Sequence, residues 1–499
     1  MPRQFSFRQR LMSVFSLIAL LGWLVPVALL AQDAAIAPSK VERKNRAPVS
    51  REILQVKLPK PVEAKLKNGL TVLIVEDRRA PYISMQLHIG GAGALFEPVG
   101  MAGLASITAQ MLREGTNSKT SLQIAEEIDR LGASINTGAS FGSPDVVLSA
   151  AGLSDNFDVW FAIATDMLFQ PSFPADELEK LKQRLRVQLR EQRSAANFLL
   201  NERFNRAVYG DHPAAKVSAT VESLDALKRE TLVQWHRERF VPQNAILGIA
   251  GDVRAKDLLA KLEKRLAGWK KTELQPTWPA NPVAVNARHV LLVHRPNSVQ
   301  TTVALGNIAI DRRSADYPAM IVMNDVIGGG ASARLFLNLR EEKGYTYGVY
   351  SDFSALRYPG PWRAGGNMRT DVTDGALVEF FKEIRRIRDE SVPSKELEES
   401  KRSIVASFAL SLEQPSRVLN FAITRKLYSL PADYWDTYSS KIAAVTADDV
   451  QRVARKYLNP ETLQLVAVGD ATKIKTILEK YGAVDVYDTN GASVAADKF

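Results

Sequence analysis

The chain has no cysteine. Disulfides, thiolate nucleophiles and cysteine-held metals are therefore excluded, and an oxidising compartment stays compatible. Histidine is scarce: His88, His212, His236, His289 and His294 are the only five in 499 residues. No two of them have the H-x-x-E-H or H-E-x-x-H spacing that sets two imidazoles on one helix turn. His289 and His294 stand five apart in an apparent strand and so face opposite sides. His88 falls on the polar face of a strand, His212 beside Pro213 in a loop, and His236 in a basic helix. Each reads as structural, and no metal role is assigned to any. There is no low-complexity tract. No Gly-Lys-Ser/Thr follows Gly328-Gly329-Gly330, so that run is not a phosphate loop. It reads as a mobile loop or a close backbone approach.

What is present is a soluble globular composition long enough for two large domains. The formal net charge is +10, or +7 once Arg3, Arg8 and Arg10 are set aside with the leader they mark. A basic surface favours acidic peptides, anionic lipid or nucleic acid. The basic residues are dispersed among glutamates, as in Glu177 to Arg193, and no nucleic-acid motif occurs. Arg3, Arg8 and Arg10 precede an uncharged run from Leu11 to Ala31, followed by Gln32-Asp33. That order reads as a secretory signal ending at Ala31, although Leu29 fits poorly two places earlier. The run is also long enough to span a bilayer. Residues 1–31 are therefore a signal peptide or a membrane anchor. The expected location is the periplasm, with anchoring to the inner membrane as the variant.

Residues 32–53 are polar, carry Pro38 and Pro48, and read as a flexible tether. Structure is expected from Leu54. Val62, Ala64 and Leu66 alternate with polar residues, Asn68-Gly69 supplies a turn, and Val72 and Ile74 resume the alternation, which predicts a hairpin. Ile83, Met85, Leu87 and Ile89 predict another strand. From Met101 the period becomes helical through Leu104, Ile107, Thr108 and Met111, and Gly115 supplies a stop. Ser106 and Gln110 then share one helix face.

The chain also repeats itself. Trp235 to Asp252 and Val453 to Asp470 each read as a basic helix end, a proline turn, a buried strand and a Gly-Asp exit, with Pro242 and Pro460 at matching places. With similar upstream helices, duplication follows. The halves are 54–266 and 289–481, joined by a linker, 267–288, that contains Pro276, Pro279 and Pro282. A tail, 482–499, follows, and Asp488 to Phe499 reads as disordered. Strand and helix runs are segregated within each half. The fold class is α+β: two homologous half-units, each a mostly antiparallel sheet with helices packed on one face.

Two further segments carry chemistry. Gly103 to Thr116 reads Gly-Leu-Ala-Ser-Ile-Thr-Ala-Gln-Met-Leu-Arg-Glu-Gly-Thr. Ile327 to Tyr350 holds the glycine run, then Ser-Ala-Arg-Leu-Phe, then Arg340 and Tyr347 seven apart around Gly344. A guanidinium and a phenol both donate hydrogen bonds and can stabilise a developing oxyanion, but neither activates water alone. Taken as residues only, Arg340 reads as a partner of Glu341 or Glu342 and Tyr347 as one of several packed tyrosines.

Together with the Pro-x-Asn to Gly-Asp element, these segments resemble the pitrilysin/insulinase metallopeptidase family from Leu54 to Tyr481. In that family Gly-Leu-Ala is followed by H-x-x-E-H. Here Ser106, Ile107, Thr108, Ala109 and Gln110 hold the five places, so both imidazoles and the carboxylate are missing. Zinc hydrolysis needs such ligands and a base for the bound water. The family's downstream glutamate falls by spacing near Gln188, with Glu191 a helical neighbour. The resemblance implies that Arg340 and Tyr347 face zinc across a chamber, with Gly328, Gly329 and Gly330 beside the substrate. It also implies that Ser134, Ile135 and Asn136 lie on an edge strand that extended peptides can join; an ordinary sheet edge is the plain alternative.

The family's chamber needs four half-units, and this chain supplies two. A homologous H-x-x-E-H-bearing partner is therefore expected, with zinc in that partner and no cofactor or metal in this chain. The expected function is the zinc-free, Arg/Tyr-contributing subunit of an exported heterodimeric peptidase acting on peptides. The alternative is a noncatalytic peptide-binding or scaffold protein that keeps the fold.

Overall fold

The computed structural model describes residues 57–272, 275–495 and 498. The leader, the tether and the expected start at Leu54 lie outside the described residues. Among the described residues no helix is long and apolar enough to cross a membrane.

The predicted hairpin is β1 (Val62–Lys65) and β2 (Thr71–Glu76), paired antiparallel with Val62 opposite Ile74. Asn68 Oδ1 accepts from the Leu70 N–H at 3.1 Å, and Gly69 takes φ 89°, which favours glycine. With β3 (Tyr82–Gly90), β4 (Ser134–Gly138), β5 (Asp145–Leu153) and β6 (Ala245–Gly251), they form a sheet ordered β1-β2-β6-β3-β5-β4. The second sheet contains β7 (Val290–His294), β8 (Gln300–Ile310), β9 (Thr346–Ala355), β10 (Pro359–Arg369), β11 (Gln464–Gly469), β12 (Val484–Tyr487) and β13 (Ser493–Val494). Its order is β13-β12-β7-β11-β8-β10-β9.

The two orders superimpose. β2-β6-β3-β5-β4 and β7-β11-β8-β10-β9 both run as one parallel pair followed by antiparallel pairs. The repeated motif supplies β6 and β11, the strands that pair with a parallel neighbour in each half. Mostly antiparallel sheets with helices, in two related halves, are thus what forms. The reading of Asp488 to Phe499 as disordered is corrected for its described part. The Asp488 carboxylate accepts from the Asn490 and Ala492 N–H groups, and the resulting turn lays β13 against β12.

The first half carries α1 (Leu104–Met111), α2 (Ser121–Arg130), α3 (Phe157–Phe169), α4 (Ala175–Gln192), α5 (Ala196–Tyr209), α6 (Val221–Ala226), α7 (Arg229–Arg239) and α8 (Ala255–Arg265). The second carries α9 (Tyr317–Gly328), a single turn α10 (Arg334–Phe336) continued by a π-turn over Leu337–Glu342, and α11 (Thr373–Asp389). There follow α12 (Ser394–Ser411), α13 (Pro415–Leu427), α14 (Tyr438–Ala443), α15 (Ala447–Tyr457) and α16 (Ala471–Leu478). Each half builds a core between its helices and one sheet face.

The opposite faces are not bare. Helix α5 leaves its own half and buries Leu199, Leu200, Phe204 and Val208 against Leu291, Val293, Ala304 and Val466 of the second sheet. Helix α13 returns the exchange, burying Val418, Leu419, Ala422 and Ile423 on Leu73, Val75 and Ala250 of the first. Gly248 makes this approach possible, because a Cβ there would stand 2.7 Å from Ile423 and 2.9 Å from Leu419. Burying an aliphatic side chain contributes about 1.5–3 kcal/mol, so the exchange binds the halves together. Ion pairs from Arg425 and from Lys426 (2.6 Å) to Glu63 add to it.

Segment 267–288 has no helix or strand among its described residues. It is nonetheless pinned. Trp269 Nε1 donates to the Phe240 carbonyl at 2.8 Å, Trp278 packs edge-on against Phe96 at 5.2 Å, and Asn307 bonds both backbone groups of Val285.

Candidate active site

Helix α1 has its apolar face, Leu104, Ala105, Ile107, Thr108, Ala109 and Met111, in the core. Its other face bears Ser106 and Gln110, and Gln110 Nε2 donates to Ser106 Oγ at 3.1 Å. Both line a cavity of about 290 Å³ that α4 closes with Leu185, Gln188, Leu189 and Gln192. The position anticipated for a downstream ligand, Gln188, therefore does meet the α1 turn, while Glu191 is not among the lining residues. Hydroxyl and carboxamide groups are neutral and weak ligands for zinc, and Ala109 offers a methyl group where a base is needed. The residues present do not fit a zinc ion. No group of three His, Asp or Glu with metal-holding geometry occurs among the described residues.

The start of α1 is held by a residue that the sequence reading missed. Glu97 accepts from the Gly103 N–H at 3.1 Å and the Ala105 N–H at 2.8 Å. Burial pushes its carboxyl up to about 7, against the pull of those two donors and of Lys216. The edge strand is tied to the same helix, because Thr137 Oγ1 donates to the Ala109 carbonyl at 2.7 Å. Among the described residues strand β4 pairs only with β5, which leaves the backbone of Ser134, Ile135 and Asn136 on an open edge there. Ile135 points its side chain into the core, and Ser134 and Asn136 are exposed. Arg113 Nη1 reaches Asn136 Oδ1 at 3.4 Å.

The second half places Arg340 and Tyr347 at the corresponding edge, β9. Arg334 is buried and makes a two-pronged ion pair with Glu396 at 2.8 and 2.7 Å. Asn338 Nδ2 donates to Glu379 and Glu383, both at 2.8 Å, and Leu335 and Leu339 enter the core. These four residues fix the α10 and π-turn segment, and Arg340 projects from it. Arg340 stacks over Phe336 at 4.8 Å and meets Glu341 at 3.5 Å. The expected ion pair with Glu341 thus forms, but with 45% of the Arg340 side chain exposed it is weak.

Tyr347 owes its position to a β-bulge. Thr346 pairs with Met368 and Val349 with Gly366, so Tyr347 and Gly348 together oppose Asn367. Thr346 Oγ1 donates to the Asn367 carbonyl at 2.5 Å and accepts from the Gly348 N–H at 3.1 Å, which closes the bulge. A bulge re-aims a side chain. Tyr347 is 87% exposed and is not a packed tyrosine.

The glycine run is resolved residue by residue. A Cβ on Gly328 would lie 2.5 Å from Ser351 Oγ, and one on Gly329 would lie 2.7 Å from Asp325 Cα. Packing of α9 against β9 therefore accounts for Gly328, and the backbone of α9's own last turn accounts for Gly329. Only Gly330 of the three has open space around it.

Two family models match this framework. The model described as Insulinase (Peptidase family M16) matches residues 71–220, and the one described as Peptidase M16 inactive domain matches residues 226–404. Together they span about two thirds of the chain. The chain belongs to the insulinase family, peptidase family M16.

Among insulinase-family relatives, an uncharacterized zinc protease of Bacillus subtilis, YmxG, is 24% identical over 78% of this chain and 94% of its own length. An uncharacterized zinc protease of Rickettsia bellii is 26% identical over 70% of this chain and 84% of its own. The crystal structure of a peptidase M16 inactive domain from Pseudomonas fluorescens superimposes with a TM-score of 0.75 at 25% identity, covering 83% of this chain and 98% of that one. A protease from Helicobacter pylori shares the fold with a TM-score of 0.77 at 19% identity, over 83% of this chain and all of that one.

Within the insulinase-family fold four of the five histidines bond to neighbouring groups of the chain. His88 Nδ1 meets Asp145 Oδ2 at 2.5 Å, and His212 Nδ1 accepts from the Ala214 N–H. His236 Nε2 bonds the Leu168 carbonyl, and burial pushes its imidazole down to about 4. His294 Nδ1 accepts from the Ala471 N–H.

Proposed function

We propose that this chain is the zinc-free subunit of an exported, heterodimeric insulinase-family peptidase, and that it contributes Arg340 and Tyr347 to catalysis. The observation that carries this reading is the pairing of two opposite edges. Ser106 and Gln110 on α1 are neutral side chains hydrogen-bonded to each other, while the β9 bulge turns out the Tyr347 phenol and the anchored segment packed on β9 carries a half-exposed Arg340. Arg340 and Tyr347 donate hydrogen bonds to the substrate carbonyl and strengthen them as negative charge gathers on its oxygen. The attacking water needs a metal and a base, which a homologous H-x-x-E-H-bearing subunit would bring. The substrate is a peptide, with the open backbone edge at Ser134–Asn136 and the space at Gly330 available to hold it. The names of the curated relatives, zinc proteases, agree with this class.

Co-expression with the H-x-x-E-H homologue, followed by peptide cleavage, tests the proposal. Arg340→Ala and Tyr347→Phe should each cut turnover about 10²–10³-fold, with assembly unchanged. Unchanged turnover in both variants overturns the catalytic role. The second reading, a noncatalytic peptide-binding scaffold, is favoured by the Arg340–Glu341 contact, which occupies the guanidinium within the chain. Stable peptide binding by the assembled pair with no cleavage would establish it.

A further inference from the structure

A cavity of about 600 Å³ opens in the second half, and none of the candidate active-site residues lines it. Its floor is apolar and aromatic, from Tyr317, Leu430, Tyr434 and Tyr438, and three cations stand around it: Arg312, Arg313 and Lys441. None of the three has an acidic partner among the described residues. Arg312 donates from Nη1 to the Tyr317 hydroxyl and lies over the rings of Tyr317, Tyr434 and Trp435, at 4.1, 5.8 and 5.5 Å. Its Nε is buried and has no hydrogen-bond partner. Arg313 is exposed, and Lys441 meets only the face of Tyr434, at 5.6 Å.

The other charged groups nearby are already spent. Arg452 pairs with Asp316 at 2.6 Å and with Asp449 at 3.4 Å. Asp449 also caps α15, accepting from the Thr446 N–H and hydroxyl. What remains is a net cationic pocket with an unmet donor on its aromatic wall. Pockets of roughly 300–1,000 Å³ with apolar walls and a few convergent polar groups are typical small-molecule sites. Charge-assisted hydrogen bonds to a guanidinium are the strong ones.

We infer that this pocket binds a small organic anion: one carboxylate or phosphate group carried on an aromatic or branched apolar body. The anion sits between Arg312, Arg313 and Lys441, and the body lies on the tyrosines. The inference is independent of the proposed proteolysis, because no residue of the Arg340–Tyr347 edge takes part.

Calorimetric titration of the full chain tests it, with Trp435 fluorescence as a second readout. The probes are N-acetylphenylalanine, phenyl phosphate and the neutral N-acetylphenylalaninamide. One or both anionic probes should bind saturably at least tenfold more tightly than the amide, and the tighter of the two identifies the anionic group. Arg313→Gln and Lys441→Gln change exposed side chains and should leave the unfolding midpoint alone. Each should weaken the anionic probe at least threefold, and Arg312→Lys, which keeps the charge but removes Nε, should weaken it as well. No saturable binding of either anion, equal binding of the amide, or full affinity in both Gln variants overturns the inference.

Discussion

The two halves share a five-strand plan, and the edge formed by β4 in one and β9 in the other carries different side chains. In the first, the helix beside edge strand β4 carries Ser106, Ala109 and Gln110, side chains that bond each other or pack. In the second, the turn beside edge strand β9 carries Arg340, held from below by Arg334, Asn338, Leu335 and Leu339, and the bulge of β9 itself turns Tyr347 outward. The difference teaches that the framework is preserved by buried residues independent of the chemistry. Thr108, Ala109 and Met111 on α1 are fully buried, so the helix is held in place by a face that carries neither Ser106 nor Gln110.

The framework comparison can be broken at the exchanged helices. Phe204→Ala on α5 and Leu419→Ala on α13 remove equivalent anchors from opposite sheets, each almost wholly buried. Each should cost about 3–5 kcal/mol in denaturant unfolding, with one shared transition. Two separate transitions, or a large loss in only one variant, would mean that the exchange does not bind the halves equally.

The helix starts sharpen the comparison through pH. Glu97 holds its proton up to about 7 when folded, whereas in the unfolded chain it ionises near the ordinary glutamate value. The folded state therefore binds more protons between those values, and its stability falls as pH rises through that window, by on the order of 3 kcal/mol. Asp316, at the start of α9, shows the opposite sign. Burial opposes its charge, but Lys456, Arg452 and Tyr457 hold its carboxyl at about 2. Its contribution is present above the ordinary aspartate value and is lost as pH falls toward 2. Denaturant unfolding at pH 5 and pH 8 should show a smaller difference in Glu97→Gln than in the parent chain. An equal difference would place the titration elsewhere.

The smallest effect belongs to the Arg340–Glu341 contact. Glu341→Gln should change stability by less than about 0.5 kcal/mol, because the pair is exposed. A larger loss in thermal unfolding would make Arg340 a structural residue and erase the contrast between the edges.

Much of this was legible in the chain. The hairpin at Asn68-Gly69, the period change at Met101 and the Pro-to-Gly-Asp repeat led to β1–β2, α1, and the pair β6 and β11. That Ser106 and Gln110 are not histidines needs no structure, and the family resemblance with its spacing points to Gln188, which lines the same cavity. The helix exchange was not read, because it pairs residues that no local period connects. Its one sequence trace is that β6 and β11 are apolar along almost their whole length, the pattern of strands covered on both faces. The bulge at Tyr347-Gly348 was hidden because alternation from Tyr345 to Phe353 reads as a plain strand. Glu97 was missed because it caps from six residues before the N-cap Gly103, beyond the reach of a capping-box pattern.

The most direct measurement is peptide hydrolysis by the purified single chain, with zinc supplied and then removed by a chelator. The account expects no turnover in either condition. Cleavage that the chelator abolishes and zinc restores would contradict it.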